Sequence, residues 1–293
     1  MTFLKMRFSI LVFFALACVG LCVKQYTTPV IFMHGLTGDD HDGDLLGSLI
    51  EQQHPGQPFY SLPVDNGDDS FKSLFVQVKD VQNAIQSLIN AHPDQFANGF
   101  HLVGHSQGGI ITRAVVELSD NFTIRNYVSL TGVQGGYYGH CEDFGSDDCE
   151  ALTEYFYSPD ERSSYSVAMF WRSPNRDQYL KGNVFLTYLN NEVYYSAELK
   201  DNMRRLNHMY LFASETDEVI SPWQSSLMAF FDTDGQTIVP MERQSYYIQD
   251  SFGLRSLDKS GRLTLKNVPG LNHVSWIRDA DIIAKYVLPC LED

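Results

Sequence analysis

Residues 100–118, FHLVGHSQGGIITRAVVEL, constrain this chain more than any other stretch. An apolar strand pattern runs into Gly104-His105-Ser106-Gln107-Gly108, and a helical pattern follows directly. G-x-S-x-G fixes only three positions, so a chain this long shows it by chance roughly one time in ten. Its setting sharpens the signal. A serine between a strand and an amphipathic helix must turn the chain sharply, in a strained backbone conformation that lifts its hydroxyl off the sheet edge. Side chains at Gly104 or Gly108 would clash across that turn. The free N–H groups and dipole at the helix start aim at the same place. Ser106 is therefore the candidate nucleophile.

The surrounding pattern supplies a scaffold for such a turn. TPVIFMHG, PFYSLPV, FHLVG, NYVSLTG, HMYLFAS and RLTLKNV read as strands. Between them, Leu74, Phe75, Val78, Val81, Ile85, Leu88 and Ile89 fall at helical spacing until His92-Pro93 ends the run. The tail DADIIAKYVLPCL reads as a closing helix. Strands alternating with helices predict an α/β chain with a mostly parallel sheet covered on both faces, the α/β-hydrolase fold. The rhythm breaks at about residues 133–207, a long aromatic segment far too apolar for a linker. We read it as an inserted lid over the carboxyl edge of the sheet.

The fold carries its own test, because its triad runs in the order Ser, then Asp or Glu, then His. Of nine histidines, His273 alone follows residue 208. It lies in GLNHVSW, between a strand and the last helix, where a base should hang over the sheet edge. His105 should point away, His140 precedes every good acid candidate, and His208 starts a strand at the wrong edge. The acid should follow HMYLFAS, which makes Asp217 the central choice, with Glu215 and Glu218 as neighbours. The oxyanion hole needs two backbone donors, expected from Gln107 and from Leu36 in the loop after IFMHG. His34 in that loop reads as structural. Asp40, Asp42 and Asp44 have calcium-loop spacing with Glu51 at the twelfth place, but Leu45 stands where glycine is needed, so a solvated turn is expected and no metal. The chemistry requires no cofactor.

The first 22 residues read as a secretory signal peptide: Lys5 and Arg7, then FSILVFFALACVGL, then small residues with cleavage near Gly20 or Cys22. The domain then spans 23–293, and no later apolar run is long enough to cross a bilayer. Losing Lys5 and Arg7 leaves 19 basic against 36 acidic side chains, taking the formal charge from −15 to −17. That argues against nucleic acid as a partner. In an oxidising compartment Cys141 and Cys149 could pair across CEDFGSDDC, which leaves Cys290 either buried and inert or held by another partner. Asn121-Phe122-Thr123 is a glycosylation sequon, as fits a secreted chain. The residues carry no signal for an oligomeric state.

GHSQGG, VPGLNHVSW, TDEVISPWQSS followed by AFF, YIQDSFGLRSLDKSGRL, and FWRSPNRDQYLKGNVFLTYLNNE together resemble the palmitoyl-protein thioesterases, across nearly the whole chain after residue 22. GHSQGG is shared by many esterases, whereas the insertion and C-terminal matches are more specific. SPWQSS and DSFGL resemble most the lysosomal acyl-thioesterase branch. The resemblance implies hydrolysis of long-chain acyl thioesters, such as palmitoyl-CoA or S-palmitoylated proteins, in a lysosomal or secreted setting. It implies Ser106 as nucleophile, Asp217 as acid, His273 as base, and a Cys141–Cys149 disulfide. The low cysteine count and the acidic DDHDGD loop depart from the family pattern. Independently, an aromatic and aliphatic insertion suits a fatty chain, since each buried methylene is worth about 0.8 kcal/mol. Phe170, Trp171 and Phe185 are the residues expected to line or support an acyl groove. A lipase or carboxylesterase acting on oxygen esters, and a non-catalytic acyl-binding module, are the alternatives.

Overall fold

The computed structural model describes residues 28–292. The expected signal peptide lies outside the described residues. Six strands form one sheet: β1 (Val30–Met33), β2 (Phe59–Ser61), β3 (Phe100–His105), β4 (Ile124–Leu130), β5 (His208–Ala213) and β8 (Leu263–Asn267), in the order β2-β1-β3-β4-β5-β8. Every pairing in it is parallel. β6 (Phe230–Phe231) and β7 (Ile238–Val239) form a separate antiparallel hairpin. β1 and β3 are buried from end to end, as central parallel strands covered on both faces must be.

The pleat sorts the strand residues into two layers. Ile31, Met33, Leu102, Tyr127, Met209 and Leu211 face one apolar cluster. Val30, Phe32, Val103, Val128, Leu130 and Phe212 face the other. On the first face pack α2 (Leu74–Ala91), α3 (Pro93–Phe96) and α4 (Gln107–Leu118). On the second pack α1 (Asp44–Gln53) and the C-terminal segments after β8. This is the α/β-hydrolase arrangement. The order 2-1-3 reverses direction between β1 and β3, and parallel sheets open a crevice at the carboxyl ends of such a pair.

Two elements differ from the sequence reading. The pattern makes α4 amphipathic, yet every residue from Gln107 to Glu117 is buried. α2 and α9 (Ala197–Arg204) close over its outer side. Its polar side chains therefore bond inward. Arg113 meets Glu117 at 2.7 Å, donates to Asn190 Oδ1 at 2.8 Å, and lies over the Phe252 ring. The tail is not one helix. α12 (Ser275–Arg278) and α13 (Ala280–Ile282) lead into a wider π turn, Ile283–Val287, and then a tight 3-10 turn, Leu288–Leu291. Pro289 lacks the N–H that a continuing α-helix would need.

Between β4 and β5 the chain forms α5 (Cys149–Phe156), α6 (Ser166–Phe170), α7 (Arg176–Gly182), α8 (Leu186–Leu189) and α9. A second excursion between β5 and β8 carries the hairpin, α10 (Ser245–Ile248) and α11 (Leu254–Lys259). The two excursions are zipped together. Tyr138 N–H donates to Ser221 C=O at 2.8 Å, and the Ser221 hydroxyl returns to Tyr138 C=O at 2.7 Å.

Candidate active site

Ser106 is the single residue between β3 and α4, at φ 53° and ψ −125°. That conformation costs on the order of 1–3 kcal/mol in a residue with a side chain. The neighbouring backbone leaves no room to relax it. A Cβ at Gly104 would sit 2.3 Å from the Gly108 carbonyl oxygen, and one at Gly108 would sit 2.2 Å from the His34 carbonyl oxygen. Register places Met33 of β1 opposite Gly104. The loop after β1 therefore runs past the serine, so closely that a Cβ on Gly35 would meet Ser106 Cβ at 2.8 Å.

Asp217 follows β5 and His273 follows β8. His273 Nδ1 lies 2.9 and 3.1 Å from the two Asp217 oxygens. An ionised carboxylate only accepts, so Nδ1 carries the proton and Nε2 is left to act as a base. Burial pushes the Asp217 carboxyl up. Hydrogen bonds and charge from His273, the Thr131 hydroxyl and the Ile220 amide outweigh it and hold the group below the ordinary aspartate range. The Val219 and Ile220 amides donate to Oδ1 at 2.9 and 3.0 Å. Thr131, just past β4, bonds Oδ2 from a left-handed backbone at φ 46°. A β-branched residue there is an outlier. Its effect here is to aim the hydroxyl at the carboxylate.

The neighbouring glutamates do other work. Glu218 accepts the His273 backbone N–H at 3.1 Å, and Glu215 accepts from Asn267 at 3.1 Å. His105 points off the serine's course, but it does not leave the site. Its Nε2–H donates to the His273 carbonyl at 3.1 Å, and the rings pack 4.9 Å apart. Burial first, then the nearby His273, push the His105 imidazole down to about 3, so it stays neutral. The histidine loop is also clipped to the acid loop: Thr216 Oγ1 donates to Leu271 C=O at 2.9 Å, and Leu271 N–H donates to Ser214 Oγ at 3.1 Å. Among the described residues no hydrogen bond joins the Ser106 hydroxyl to His273. That contact is commonly long without substrate.

Ser106 and His273 open into one cavity of about 510 Å³, within the range of small-molecule sites. Leu36 and Gln107 are in its wall. Gln107 is the first residue of α4, whose N–H has no helical acceptor. The insertion supplies Val133, Tyr137, Phe144, Val167 and Phe170. Of the three groove candidates, only Phe170 reaches this wall. Trp171 is wholly buried behind it, ringed by Tyr137, Tyr138, Phe144 and Phe156, with its indole N–H on Thr153 Oγ1 at 2.9 Å. Phe185 is wholly buried against Phe75, 5.1 Å between centroids. Both belong to the buried core and not to the cavity lining.

Other sequence candidates have local settings. Residues 39–44 fold as a short turn capped by Asp39, and its carboxylates are spread among partners: Asp40 accepts from Asn66, Asp42 meets Arg278, and Asp44 meets His41. Among the described residues no group of three or more His, Cys, Asp or Glu side chains is placed to hold a metal. His34 is buried, with its ring nitrogens 2.9 Å from the Gly35 and Val64 carbonyls. Cys141 and Cys149 form a disulfide. Cys290 is a buried free thiol, which burial pushes up to about 12. Asn121 is exposed on the turn between α4 and β4. No helix among the described residues is long and apolar enough to cross a membrane.

The sequence pattern of the family described as palmitoyl protein thioesterase matches residues 29–273. The lysosomal thioesterase PPT2 homolog of Drosophila melanogaster is 31% identical over 296 residues, covering 99% of this chain and all of the relative. The lysosomal thioesterase PPT2 of Homo sapiens is 30% identical, covering 90% and 87% of the two chains. Palmitoyl-protein thioesterase 3 of Dictyostelium discoideum is 35% identical, covering 85% and 86%. Among solved structures, the mature lipase BlEst2 of Bacillus licheniformis superposes with a TM-score of 0.50 at 13% identity, over 92% of this chain and 93% of that one. That last likeness concerns the fold.

Proposed function

The chain belongs to the palmitoyl-protein thioesterase family, and on that premise we propose that it hydrolyses long-chain fatty acyl thioesters through an acyl-enzyme on Ser106. The observation that carries this reading is the convergence of Ser106 and the His273–Asp217 pair on one cavity with an apolar wall. The two steps balance without any cofactor. Ser106 Oγ attacks the thioester carbonyl while His273 Nε2 takes its proton, and the Leu36 and Gln107 amides hold the oxyanion. The C–S bond then breaks, and the imidazolium returns the proton to the departing sulfur. Water, deprotonated by His273, attacks the acyl-serine ester, releasing the fatty acid and the free hydroxyl. Asp217 fixes the imidazole and stabilises its charged form.

The insertion, residues 133–207, acts in this reading as the lid that supplies the acyl wall, with Phe170 touching the chain and Trp171 and Phe185 holding the wall in place. Relatives carrying "lysosomal" in their names support a lysosomal destination, reached through a cleaved leader, with Asn121 glycosylated on the way. The test compares kcat/KM for a palmitoyl thioester and its matched oxygen ester. The thioester should be the faster; faster oxygen-ester turnover would make the protein a lipase or carboxylesterase instead. A fluorophosphonate should label the wild type and not Ser106→Ala. An unlabelled wild type would point to an acyl-binding module.

A further inference from the structure

The cavity wall has two main sources. The insertion supplies its aromatic and aliphatic residues and Asp143, while the loop after β1 and the segment after His273 supply Gly38, Asp42, Val274, Ile277 and Arg278. His273 must hand its proton to the departing sulfur, so the leaving group lies on the imidazole's side, beside this second set. Among the described residues Arg278 is the only lysine or arginine in the cavity wall. It is the one cationic lysine or arginine side chain in that wall for a phosphate-bearing thiol to pair with.

Arg278 is already engaged. Its Nη2 lies 2.5 Å from Asp42 Oδ1, while its side chain remains 57% exposed. The Asp42 carboxylate is itself pinned: a Cβ on Gly38 would come within 2.4 Å of its other oxygen, and its side chain is only 14% exposed. Asp143 and Glu218 add two more carboxylates to the wall. Asp42 thus offsets the charge of Arg278, within a wall of net negative formal charge.

Resting on the thioesterase reading, we infer that Asp42 withholds Arg278 from anionic leaving groups, so that the enzyme favours thioesters of uncharged thiols over those of polyanionic ones. Pantetheine and coenzyme A present the same thiol and differ in the phosphates, which isolates the effect. The experiment measures kcat/KM for myristoyl-pantetheine and myristoyl-coenzyme A below their micelle concentrations, in wild type, Asp42→Asn and Arg278→Gln. At low ionic strength the wild type should prefer the pantetheine ester by about tenfold or more, the lower end of electrostatic focusing in charged clefts. The preference should shrink as salt shortens the Debye length below about 10 Å. Asp42→Asn, which frees the guanidinium, should narrow the ratio, and Arg278→Gln should widen it. Equal rates on the two esters in wild type, a coenzyme A preference, or a ratio that neither salt nor Asp42→Asn moves would overturn the inference. The salt series needs no variant, so it decides even if a substitution fails to fold. Turnover of neither ester would overturn the proposed activity itself, and this inference with it.

Discussion

At Asp217, burial opposes the charge while three kinds of donor support it, and the donors prevail. A folded value below the ordinary one has a signed consequence. The stabilisation is fully present above about pH 3.8, the ordinary aspartate value, and is lost as pH falls through the lower folded value. In mildly acidic surroundings the His273–Asp217 pair therefore persists. Asp217→Asn should lower kcat by about 10³- to 10⁴-fold, as the imidazole loses its tautomer and its counter-charge. The stability gap between variant and wild type, read from urea unfolding, should hold its full width above about pH 3.8 and narrow as pH falls below it; a gap that does not change with pH would contradict this account. His105 predicts a smaller effect. His105→Phe keeps a buried ring but removes the donor to the His273 carbonyl. A net hydrogen bond of about 1 kcal/mol corresponds to roughly a fivefold fall in kcat with KM little changed, and steady-state kinetics with one acyl thioester would test it. Ser106 and His273 were legible because one lies in a local motif and the other survives elimination along the chain. Thr131, His105 and the backbone role of Glu218 were not. Their partners are 86, 168 and 55 residues away, and only strand register brings them together.

The insertion separates what a helix touches from what it supports. Phe170 lines the cavity, and the very next residue, Trp171, faces the core. Phe170→Ala should enlarge the acyl space, shifting the preferred chain length upward with a modest loss of stability. Trp171→Ala should instead cost about 3–5 kcal/mol. Chain-length profiles and thermal unfolding of the two variants would distinguish them, and matching behaviour would contradict the assignment. The sequence could nominate aromatic residues but could not orient them, because the helices here are as short as four or five residues. Too few turns are present for a periodic stripe to declare a face. The same limit applies in reverse to α4. Its spacing looks amphipathic, but a second helical layer covers the side that pattern assigns to water. The interior Arg113–Glu117 pair marks that covering, and burial pushes the Glu117 carboxyl up against the pull of Arg113.

At the scale of the molecule, the sheet order was the least visible feature in the sequence and the one that assembles the site. Alternating strand and helix patterns announced a parallel sheet, yet the reversal that sets β1 beside β3 belongs to no local stretch of chain. That reversal is what runs the loop of Gly35 and Leu36 past Ser106. Enzymatic turnover should accordingly disappear in the same urea range as the tertiary signal from Trp171 and Trp276, both fully buried. Turnover lost well before that fluorescence change would show that the edge strand β8 melts on its own. The parts of the site come from the ends of β3, β4, β5 and β8, and His273 follows the last of these, far along the chain from Ser106. A nascent chain on the ribosome thus carries Ser106 long before it carries His273. On the proposed mechanism, the order of synthesis serves as a safety catch: Ser106 stays without its partner until the strand before His273 has been made and has docked.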